Sequence, residues 1–399
     1  MKTNGNKIGV FTTFGSWDEA YSLTTIVKAQ IEMIKKSGNT PVFIGLDIFK
    51  DDIGCEVRTV PTITYKNYEP GEDISEEHKE EIPKIKDALE EAIKDLDVVL
   101  THDIILQSAF VPYNLAMRQV KGNFIHFIHS VPANLYEPSC PEGSTIVSLN
   151  NTDKLRVAEA FQTTMENIAV VYNPMDIRDY YEVDPITREI VDKLGLLDYD
   201  TINIYPFCTT RMDAKGVEKV IKLNKHLNYV RKTKTLLINS HANAEREKDL
   251  VESKQEWADK YGADVQFTSL LGYPNGLPHK VVKDLFKLSD LFIFPSKSEF
   301  CSLVQLEAGL GKNLMVLNDD FEPMREISIG LNMGFGSMRQ ARNYSDENAY
   351  YKDWSRIINW EINQDKTLTN FIKMRKEFNQ DYIWEQQLYP LILKYEKNN

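Results

Sequence analysis

Two pairs of charged side chains in the second half of the chain have types and spacing that suit a phosphorylated, hydroxyl-rich ligand. Arg211 and Lys215 lie four residues apart, directly after an apolar run. The planar fork of an arginine and the compact charge of a lysine around one turn can both reach one diphosphate. Glu299 and Glu307, with seven residues between them, carry ionised oxygens that accept hydrogen bonds from hydroxyl groups. Each of these residues alone is more often a helix cap or a solvated surface group, so the prediction rests on their combination.

The elements around these residues are those of an open α/β sheet. Leu291 to Phe294 predicts a buried strand, Pro295-Ser296 a turn, and Ser302 the start of a helix that contains Leu303. In such sheets, ligands bind outside the carboxyl ends of the strands, and the free N–H groups of a helix N-terminus attract anions. Ser302 and Leu303 are therefore predicted to lie beside the same ligand as Glu299.

The alternation of strand and helix runs along nearly the whole chain. It predicts the α/β fold class, with two doubly wound Rossmann-like domains whose sheets are parallel. The first domain begins with a strand at Lys7 to Thr12 and a helix at Glu19 to Lys36, and the second begins with a strand at Thr201 to Phe207. Residues 50–75 are predicted to be irregular, before an acidic helix from Ser75 to Asp95 whose apolar face packs.

The turn after the first strand contains a single glycine, Gly15, followed by Ser16 and Trp17. One glycine with a polar neighbour is a weak signal for phosphate binding. Trp17 offers a ring face to a sugar acceptor in one interpretation and packs in an ordinary tight turn in the other. Ser16 and Trp17 are kept as candidate acceptor contacts.

Three histidines and an aspartate lie on or after two further strands of the first domain. His102 and Asp103 end the strand that begins at Val98, and they are candidate acceptor contacts. His129 follows the next strand, where polar residues face a ligand cleft in this architecture. His126 lies in the middle of that strand and is predicted to be a core residue.

Composition limits the class of protein. With 399 residues, of which 42% are hydrophobic and 27% charged, the chain fits two soluble domains. Twelve acids and four lysines between Glu69 and Asp97 carry −8 of the net charge of −12, so the remainder carries −4. Nucleic acid is therefore a possible but unsupported partner. Four scattered cysteines, no long apolar run and no signal sequence predict a cytoplasmic protein without a transmembrane segment or a zinc site.

Four segments of the chain resemble, in type and order, those of the retaining GT-B glycosyltransferases of the large group called family four. Glu299 and Glu307 match its E-x7-E signature, and residues 207–217 look like its strand–Arg–loop–Lys-Gly segment. Residues 170–176 are similar to its interdomain Asn-x-x-Asp, and residues 382–395 to its closing helix. The motifs are individually weak, but together they span nearly the whole chain.

The resemblance implies two domains that face a cleft. Residues 1–176 would form the N-terminal acceptor domain and residues 177–378 the C-terminal nucleotide-sugar donor domain. Residues 379–399 would form a final helix that packs back on the first domain. Trp354, Trp360 and Trp384, in the last helices, are predicted to be core residues.

The resemblance also implies an activity. The enzyme would move a hexosyl or pentosyl group from a nucleotide-diphosphate sugar to the hydroxyl of a carbohydrate or another soluble acceptor, with retention and without a metal or other cofactor. Arg211 and Lys215 would stabilise the leaving diphosphate, Glu307 would hold the ribose and Glu299 the donor sugar. His129 matches a histidine that the family places beside the donor sugar. The implied donor site also includes three uncharged residues: Gly15, Ser302 and Leu303.

Two departures and two alternatives stay open at this point. Phe300-Cys301-Ser302 replaces the Gly-Phe-Gly that the family usually has after its first glutamate, and Gly309-Leu310-Gly311-Lys312 replaces its usual run of small residues. The sugar is therefore left unnamed, with a pentose as one option. One alternative is a phage-type glycosyltransferase acting on a hydroxymethylated DNA base, which would need a basic groove with aromatic contacts. The other is a non-catalytic nucleotide-sugar binding protein.

Overall fold

The chain divides into two compact units, each built on one parallel sheet. Unit 1 comprises Met1–Asp176 and Phe378–Asn399, and unit 2 comprises Ile177–Glu377. The computed structural model describes residues 5–130, 132, 134–242, 244–299, 302–335 and 346–396.

The strands of unit 1 are β1 (Lys7–Phe11), β2 (Thr40–Leu46), β3 (Glu56–Val60), β4 (Val98–His102), β5 (Phe124–Ile128), β6 (Thr145–Ser148) and β7 (Ile168–Val170). They form one sheet in the order β3-β2-β1-β4-β5-β6-β7, and neighbouring strands are parallel. The central strands are apolar and buried, as expected for parallel strands covered on both faces. Because the order reverses between β1 and β4, the loops after these two strands border a crevice.

The helices in the first segment of unit 1 are α1 (Ser22–Lys36), α2 (Glu76–Ile93), α3 (Val111–Met117) and α4 (Lys154–Ala160). The acidic helix α2 follows local signals: the Ser75 side chain accepts the N–H of His78 at 3.3 Å, and two glutamates occupy its first turn. Ile85 and Leu89 bury its apolar face in the core. The acidic run is therefore mainly a solvated helix face.

The strands of unit 2 are β8 (Thr201–Cys208), β9 (Thr233–Ser240), β10 (Val265–Phe267), β11 (Leu291–Phe294), β12 (Leu314–Asn318) and β13 (Leu331–Met333). They repeat the doubly wound pattern in the order β10-β9-β8-β11-β12-β13, again with parallel neighbours. The reversal falls between β8 and β11, so the loops after these strands border the crevice of this sheet.

The helices of unit 2 are α5 (Ile177–Tyr180), α6 (Pro185–Leu194), α7 (Val217–Leu227), α8 (Ala244–Tyr261), α9 (His279–Leu288), α10 (Leu303–Leu310), α11 (Glu322–Ile327), α12 (Glu347–Gln364) and α13 (Lys366–Glu377). The bounds of α6 follow from its sequence. Asp184 accepts the N–H of Ile186 at 2.9 Å, and Gly195 ends the helix in the left-handed conformation.

The last segment of the chain completes unit 1. It contains α14 (Gln380–Ile383), one π-helical turn (Trp384–Leu388) and α15 (Tyr389–Glu396). Ile383, Trp384 and Leu388 are buried in the same core cluster as Ile8 and Val10 of β1. The Tyr395 hydroxyl donates to the carbonyl of Phe124 at 3.1 Å, which ties α15 to the start of β5.

The predicted α/β fold class, with two doubly wound Rossmann-like domains, is confirmed by both sheets. The prediction of irregular structure for residues 50–75 is wrong, because Glu56–Val60 pairs with β2 as an edge strand. The first helix begins at Ser22, later than the predicted Glu19. The prediction that Trp360 is a core residue is also wrong, since its side chain is 57% exposed, whereas Trp384 is buried.

Candidate functional site

In unit 2, side chains from two distant segments meet at the carboxyl ends of β8 and β11. Lys215, after β8, forms an ion pair with Oε1 of Glu299, after β11. Arg211 donates from one guanidinium nitrogen to the carbonyl of Ser298 at 3.0 Å and lies 3.2 Å from its hydroxyl. The Ser296 hydroxyl donates to the same Glu299 oxygen at 2.7 Å. The structure therefore brings three of the predicted site residues, Arg211, Lys215 and Glu299, into one cluster.

Backbone contacts hold the two loops of this cluster together. The N–H of Lys297 donates to the carbonyl of Ala214 at 3.0 Å. The Tyr205 hydroxyl donates to the carbonyl of Lys215 at 2.6 Å, which fixes the start of the lysine side chain. Gly216 has a φ of +65°, and a Cβ there would lie 3.0 Å from the carbonyl oxygen of Pro295. Only glycine permits both this conformation and this approach.

The electrostatics of the cluster are those of partly buried charges. The side chains of Lys215 and Glu299 are 13% and 10% exposed, so water screens their attraction less than at an open surface. Burial raises the pKa of the Tyr205 phenol well above its usual range, and the negative charge of Glu299 adds to this effect. Tyr205 therefore remains a neutral hydrogen-bond donor beneath the cluster.

A cavity of about 480 Å³ adjoins the cluster within unit 2. Arg211 and Lys215 contribute its cationic part, and amide and small polar groups come from β9 and the loop before α9. Its apolar wall includes Phe207, Ile238, Leu277, Val282 and Val304. This volume lies in the range of small-molecule sites, and apolar walls with a few convergent polar groups are typical of such sites.

Glu307 lies on α10 and has a different partner. Its Oε1 pairs with Nε2 of His279, the first residue of α9. Ser302 is the buried residue before α10, and its carbonyl accepts the N–H of Gln305 at 3.1 Å, whereas Leu303 is 72% exposed. Phe300 and Cys301, on which the predicted change of the donor pocket depends, lie outside the described residues.

In unit 1, a chain of hydrogen bonds connects the predicted histidines. Nδ1 of His102 lies 2.8 Å from Nε2 of His129, and Nε2 of His102 lies 2.9 Å from Oε1 of Gln30. Burial lowers the pKa of His102 well below its usual value, with a smaller contribution from His129, and lowers the pKa of His129 to about 4. Both imidazoles are therefore neutral at neutral pH.

Asp103 connects the ends of β4 and β5. It adopts a φ of +55°, and its Oδ1 accepts the backbone N–H of His129 at 2.7 Å. Burial raises the pKa of its carboxyl, and this backbone hydrogen bond opposes the rise. His126 is fully buried, as predicted for a core residue, and lies 2.7 Å from the hydroxyl of Thr101.

A cavity of about 330 Å³ in unit 1 is lined by residues after β1, at the start of α1, between β3 and α2, at the end of β4 and in the segment that follows β4: Thr12, Thr13, Phe14, Tyr21, Leu23, Tyr65, His102, Asp103, Gln107, Ala109 and Phe110. Trp17 lies in an aromatic cluster, with its ring 6.0 Å from that of Phe43 and 6.4 Å from that of Phe49. A Cβ on Gly15 would lie 2.6 Å from the end of the Ile48 side chain, which is 56% exposed. Ser16 is exposed.

Several residues of the two clusters were missed from the sequence. Ser296 and Ser298 share a turn with Glu299, and a hydroxyl-rich turn beside an acid is a signal that could have found them. Gln30 occupies a buried position of an amphipathic helix, which is also a detectable signal. His279 has no such signal, because it lies 28 residues from Glu307 and the two meet only when α9 and α10 pack.

Two other classes of site are absent from the described part of the chain. None of its helices is long and apolar enough to cross a membrane. It contains no group of three or more His, Cys, Asp or Glu side chains arranged to hold a metal ion. Metal-free chemistry stays a prediction.

Comparison with known proteins finds similarity only at the level of structure. No protein-family model matches the sequence, and no curated protein matches it. A glycosyltransferase from Rickettsia africae ESF-5 is 14% identical over 100% of both chains, with a TM-score of 0.39. Alr3699/HepE from Anabaena, in complex with UDP-glucose, is 13% identical over 98% of this chain and 99% of its own, with a TM-score of 0.33.

WaaG, a glycosyltransferase involved in lipopolysaccharide biosynthesis, is 13% identical over 97% of this chain and 98% of its own, with a TM-score of 0.32. At these TM-scores and identities the alignments carry no argument about activity.

Proposed function

We propose that this protein transfers a sugar from a nucleotide-diphosphate sugar to a hydroxyl acceptor, with retention of configuration and without a metal ion. The observation that supports the proposal most directly is the convergence of Arg211, Lys215 and Glu299 beside a cavity of about 480 Å³. Two cations and one carboxylate match a ligand that has an anionic diphosphate next to a sugar with hydroxyl groups.

Each part of the donor has a proposed partner in unit 2. Arg211 and Lys215 bind the diphosphate, and Glu299 accepts hydrogen bonds from the sugar hydroxyls. Glu307, whose carboxylate is held by His279, accepts from the ribose hydroxyls. Ser302 and Leu303 lie at the start of α10, about one helical turn before Glu307, and are also proposed to contact the donor. The apolar wall of the cavity is proposed to contact the base.

The ion pair between Lys215 and Glu299 is part of the proposed mechanism. When the donor binds, the lysine turns its charge to the diphosphate and the glutamate turns its oxygens to the sugar. The pair thus keeps both side chains ordered beside the cavity before the substrate arrives, and contacts with the diphosphate and the sugar hydroxyls replace the attraction that is lost when the pair opens.

The proposed reaction breaks the bond between the anomeric carbon and the diphosphate oxygen, whose electron pair stays on the diphosphate. A new bond forms between the anomeric carbon and the acceptor oxygen, and the proton of the acceptor hydroxyl passes to the departing phosphate. Arg211 and Lys215 stabilise the charge that develops on the diphosphate. Atoms and charges balance without a covalent bond to the protein.

For unit 1, we propose roles in contacting hydroxyl groups. Asp103 lines a cavity whose other walls include Tyr21, Tyr65 and Gln107, a mixture of rings and polar groups suited to a carbohydrate. His102 also lines this cavity, but its two ring nitrogens are bonded to Gln30 and His129, so the prediction that it contacts the acceptor directly is replaced by a role through His129. His129 is proposed to contact a sugar hydroxyl. Ser16 and Trp17 remain proposed acceptor contacts, and Gly15 a proposed donor contact.

The test is a panel of nucleoside-diphosphate sugars, first in thermal-shift assays and then in assays of nucleoside-diphosphate release. A true donor binds only the folded chain, so it raises the melting temperature by mass action. The variant Glu299→Gln should lower kcat about 10²- to 10³-fold while the affinity for the nucleoside diphosphate stays within a few-fold. A matched control is Asp264→Asn, which breaks another partly buried lysine–acid pair in unit 2, that of Lys234 and Asp264.

Each outcome of the panel has a defined meaning. Stabilisation by a donor together with turnover that Glu299→Gln removes supports the proposal. Stabilisation without turnover in the wild type would instead identify a binding protein. If none of the nucleotide sugars stabilises the chain or releases a nucleoside diphosphate, the proposal is wrong.

A further inference from the structure

Gln30 is a buried polar residue on the apolar face of α1. Its side chain is 1% exposed, and the same face buries Val27, Ile31 and Ile34. An amide placed among apolar side chains without a hydrogen bond destabilises the fold. The partner that compensates this cost is the imidazole of His102, whose Nε2 lies 2.9 Å from Oε1 of Gln30.

The hydrogen-bonding rules assign the protons along this chain of groups. An amide oxygen only accepts, so Nε2 of His102 carries the hydrogen. A neutral imidazole has one N–H, so Nδ1 of His102 has a free lone pair. That nitrogen lies 2.8 Å from Nε2 of His129, which must therefore donate. The remaining nitrogen of His129, Nδ1, has a lone pair and no hydrogen.

Packing fixes the orientation of both rings. The His102 ring stacks on that of Phe127, with centroids 5.3 Å apart, and on that of His129, with centroids 5.1 Å apart. The backbone N–H of His129 donates to Oδ1 of Asp103 at 2.7 Å. Burial lowers the pKa of both imidazoles, which keeps each ring neutral. The tautomer is therefore set by hydrogen bonds and the ring plane by stacking.

We propose that Gln30 and His102 are positioning residues that hold His129 as the Nε2–H tautomer, so that its Nδ1 accepts a hydrogen bond from a substrate hydroxyl. The identity of that substrate rests on the proposed function, but the assignment of the tautomer does not. A neutral nitrogen with a lone pair attracts a hydroxyl hydrogen and repels an anionic oxygen. His129 therefore recognises a sugar or acceptor hydroxyl, and it does not bind phosphate.

The tautomer can be measured on the full chain without any substrate. Long-range ¹H–¹⁵N correlation spectra of histidine-labelled protein distinguish a protonated from an unprotonated ring nitrogen, and the variant His129→Gln identifies the signals of His129. The expected wild-type spectrum shows His129 protonated at Nε2 and unprotonated at Nδ1. The opposite tautomer would overturn the proposal.

Two substitutions of Gln30 test the positioning role. Gln30→Leu removes the acceptor, so both tautomers of His102 become populated and the His129 signals shift to averaged values. Gln30→Met also removes the acceptor and keeps a side chain of similar length, and it serves if the leucine variant does not fold. The control is Asn114→Leu, which removes another buried amide of unit 1 that bonds to Arg118 and a backbone carbonyl. It should leave the His129 signals unchanged.

Kinetics with the donor found in the panel provide a second measurement. Gln30→Leu should lower kcat roughly 10- to 100-fold, the loss typical when a hydrogen-bond partner that orients a metal-binding histidine is removed, and Gln30→Met should lower it similarly. An unchanged His129 spectrum or an unchanged kcat in Gln30→Leu would each contradict the positioning role. If no donor is turned over, the proposed function fails, and the spectra still decide the tautomer.

Discussion

Units 1 and 2 share the strand order of a doubly wound sheet, which unit 1 extends by a seventh strand. The histidines of unit 1 lie at the ends of β4 and β5, and the charged side chains of unit 2 follow β8 and β11, between which the strand order of that unit reverses. In unit 1 these groups are buried imidazoles that burial keeps neutral. In unit 2 they are a lysine, an arginine and a glutamate that remain partly exposed. The same scaffold thus presents neutral hydrogen-bonding groups in one unit and paired charges in the other.

The difference lies in whether the polar groups near the core are neutral or charged. Burial penalises the charged form of an isolated titratable group, so the histidines of unit 1 give up their charge. In unit 2, Lys215 and Glu299 pair with each other, and Arg211 donates to the carbonyl of Ser298. An ion pair also lies in the deep core, where Arg375 and Asp290 are both fully buried and lie 2.8 Å apart. A neutral cluster suits hydroxyl groups, and a charged cluster suits a diphosphate.

The largest expected effect comes from breaking the buried pair of unit 2. Arg375 also donates to the carbonyls of Leu288 and Tyr199. Arg375→Met therefore removes the cationic partner of Asp290, which keeps only the backbone N–H of Ile202, and takes a donor from two carbonyls. The free energy of unfolding should fall by about 3–5 kcal/mol. Urea denaturation of the full chain, followed by tryptophan fluorescence, measures it. Arg356→Met, which removes a surface arginine of the same unit, should change stability by less than about 0.5 kcal/mol. Equal effects of the two variants would contradict the importance of the buried pair.

The next effect concerns the charged cluster beside the cavity. Lys215→Ala should lower kcat about 10²- to 10³-fold, because the developing charge on the diphosphate loses a cation. Lys234→Ala removes a lysine of similar burial from the same unit, away from this cluster, and serves as the control. The measurement is steady-state release of the nucleoside diphosphate. A loss of similar size in both variants would point to a general effect on folding.

A third effect tests two buried histidines of unit 1, His102 and His129, through the pH dependence of the free energy of unfolding. Burial lowers the pKa of His129 to about 4, below the value of about 6.5 for an unfolded chain. Between these two values the unfolded chain binds a proton that the folded chain does not, so stability is complete above pH 6.5 and falls as the pH is lowered towards 4. The contribution of His129 is about 3 kcal/mol at most. In His129→Gln, the slope of the unfolding free energy over this window should decrease by about one proton, and an unchanged slope would show that His129 does not contribute.

The smallest expected effect concerns Gly216, where the loop after β8 comes close to the loop after β11. Gly216→Ala places a Cβ 3.0 Å from the carbonyl oxygen of Pro295 at a φ of +65°, whereas Gly262→Ala, at a φ of +81°, meets no atom within 4 Å. The left-handed conformation alone costs about 1–2 kcal/mol in both variants. Gly216→Ala should therefore lose more stability than Gly262→Ala in urea denaturation, and it should also raise the KM for the donor. Equal losses would mean that the loops after β8 and β11 can separate without cost.

Local patterns predicted much of the fold. The strand Leu291–Phe294 has the predicted bounds, because a fully apolar run identifies it. The acidic helix predicted at Ser75–Asp95 spans Glu76–Ile93, because its apolar residues follow a 3.6-residue period. Strand β3 was missed, since its sequence Glu-Val-Arg-Thr-Val is mostly exposed and carries charges typical of an edge strand. It forms because β2 offers a free edge, and the local sequence does not contain that information.

In the candidate site, too, contacts between residues close in sequence could be predicted, and contacts between distant residues could not. Arg211 and Lys215 could be predicted as a pair from the sequence, because they lie only four residues apart around one turn. Their meeting with Glu299, 84 residues from Lys215, depends on the order of strands in the sheet. The link between Gln30 and His102, 72 residues apart, likewise depends on how α1 packs on β4.

The sequence by itself determined which segments are strands and helices, which residues carry charge, and that two doubly wound sheets form, because these properties follow from periodicity and side-chain chemistry over short distances. Only the tertiary structure decided the partner of each charged or polar group: Lys215 with Glu299, Glu307 with His279, and His129 with His102 and Gln30. The physical reason is that hydrogen bonds and ion pairs act over a few ångströms, and the residues that come within that range are selected by packing and not by their separation along the chain.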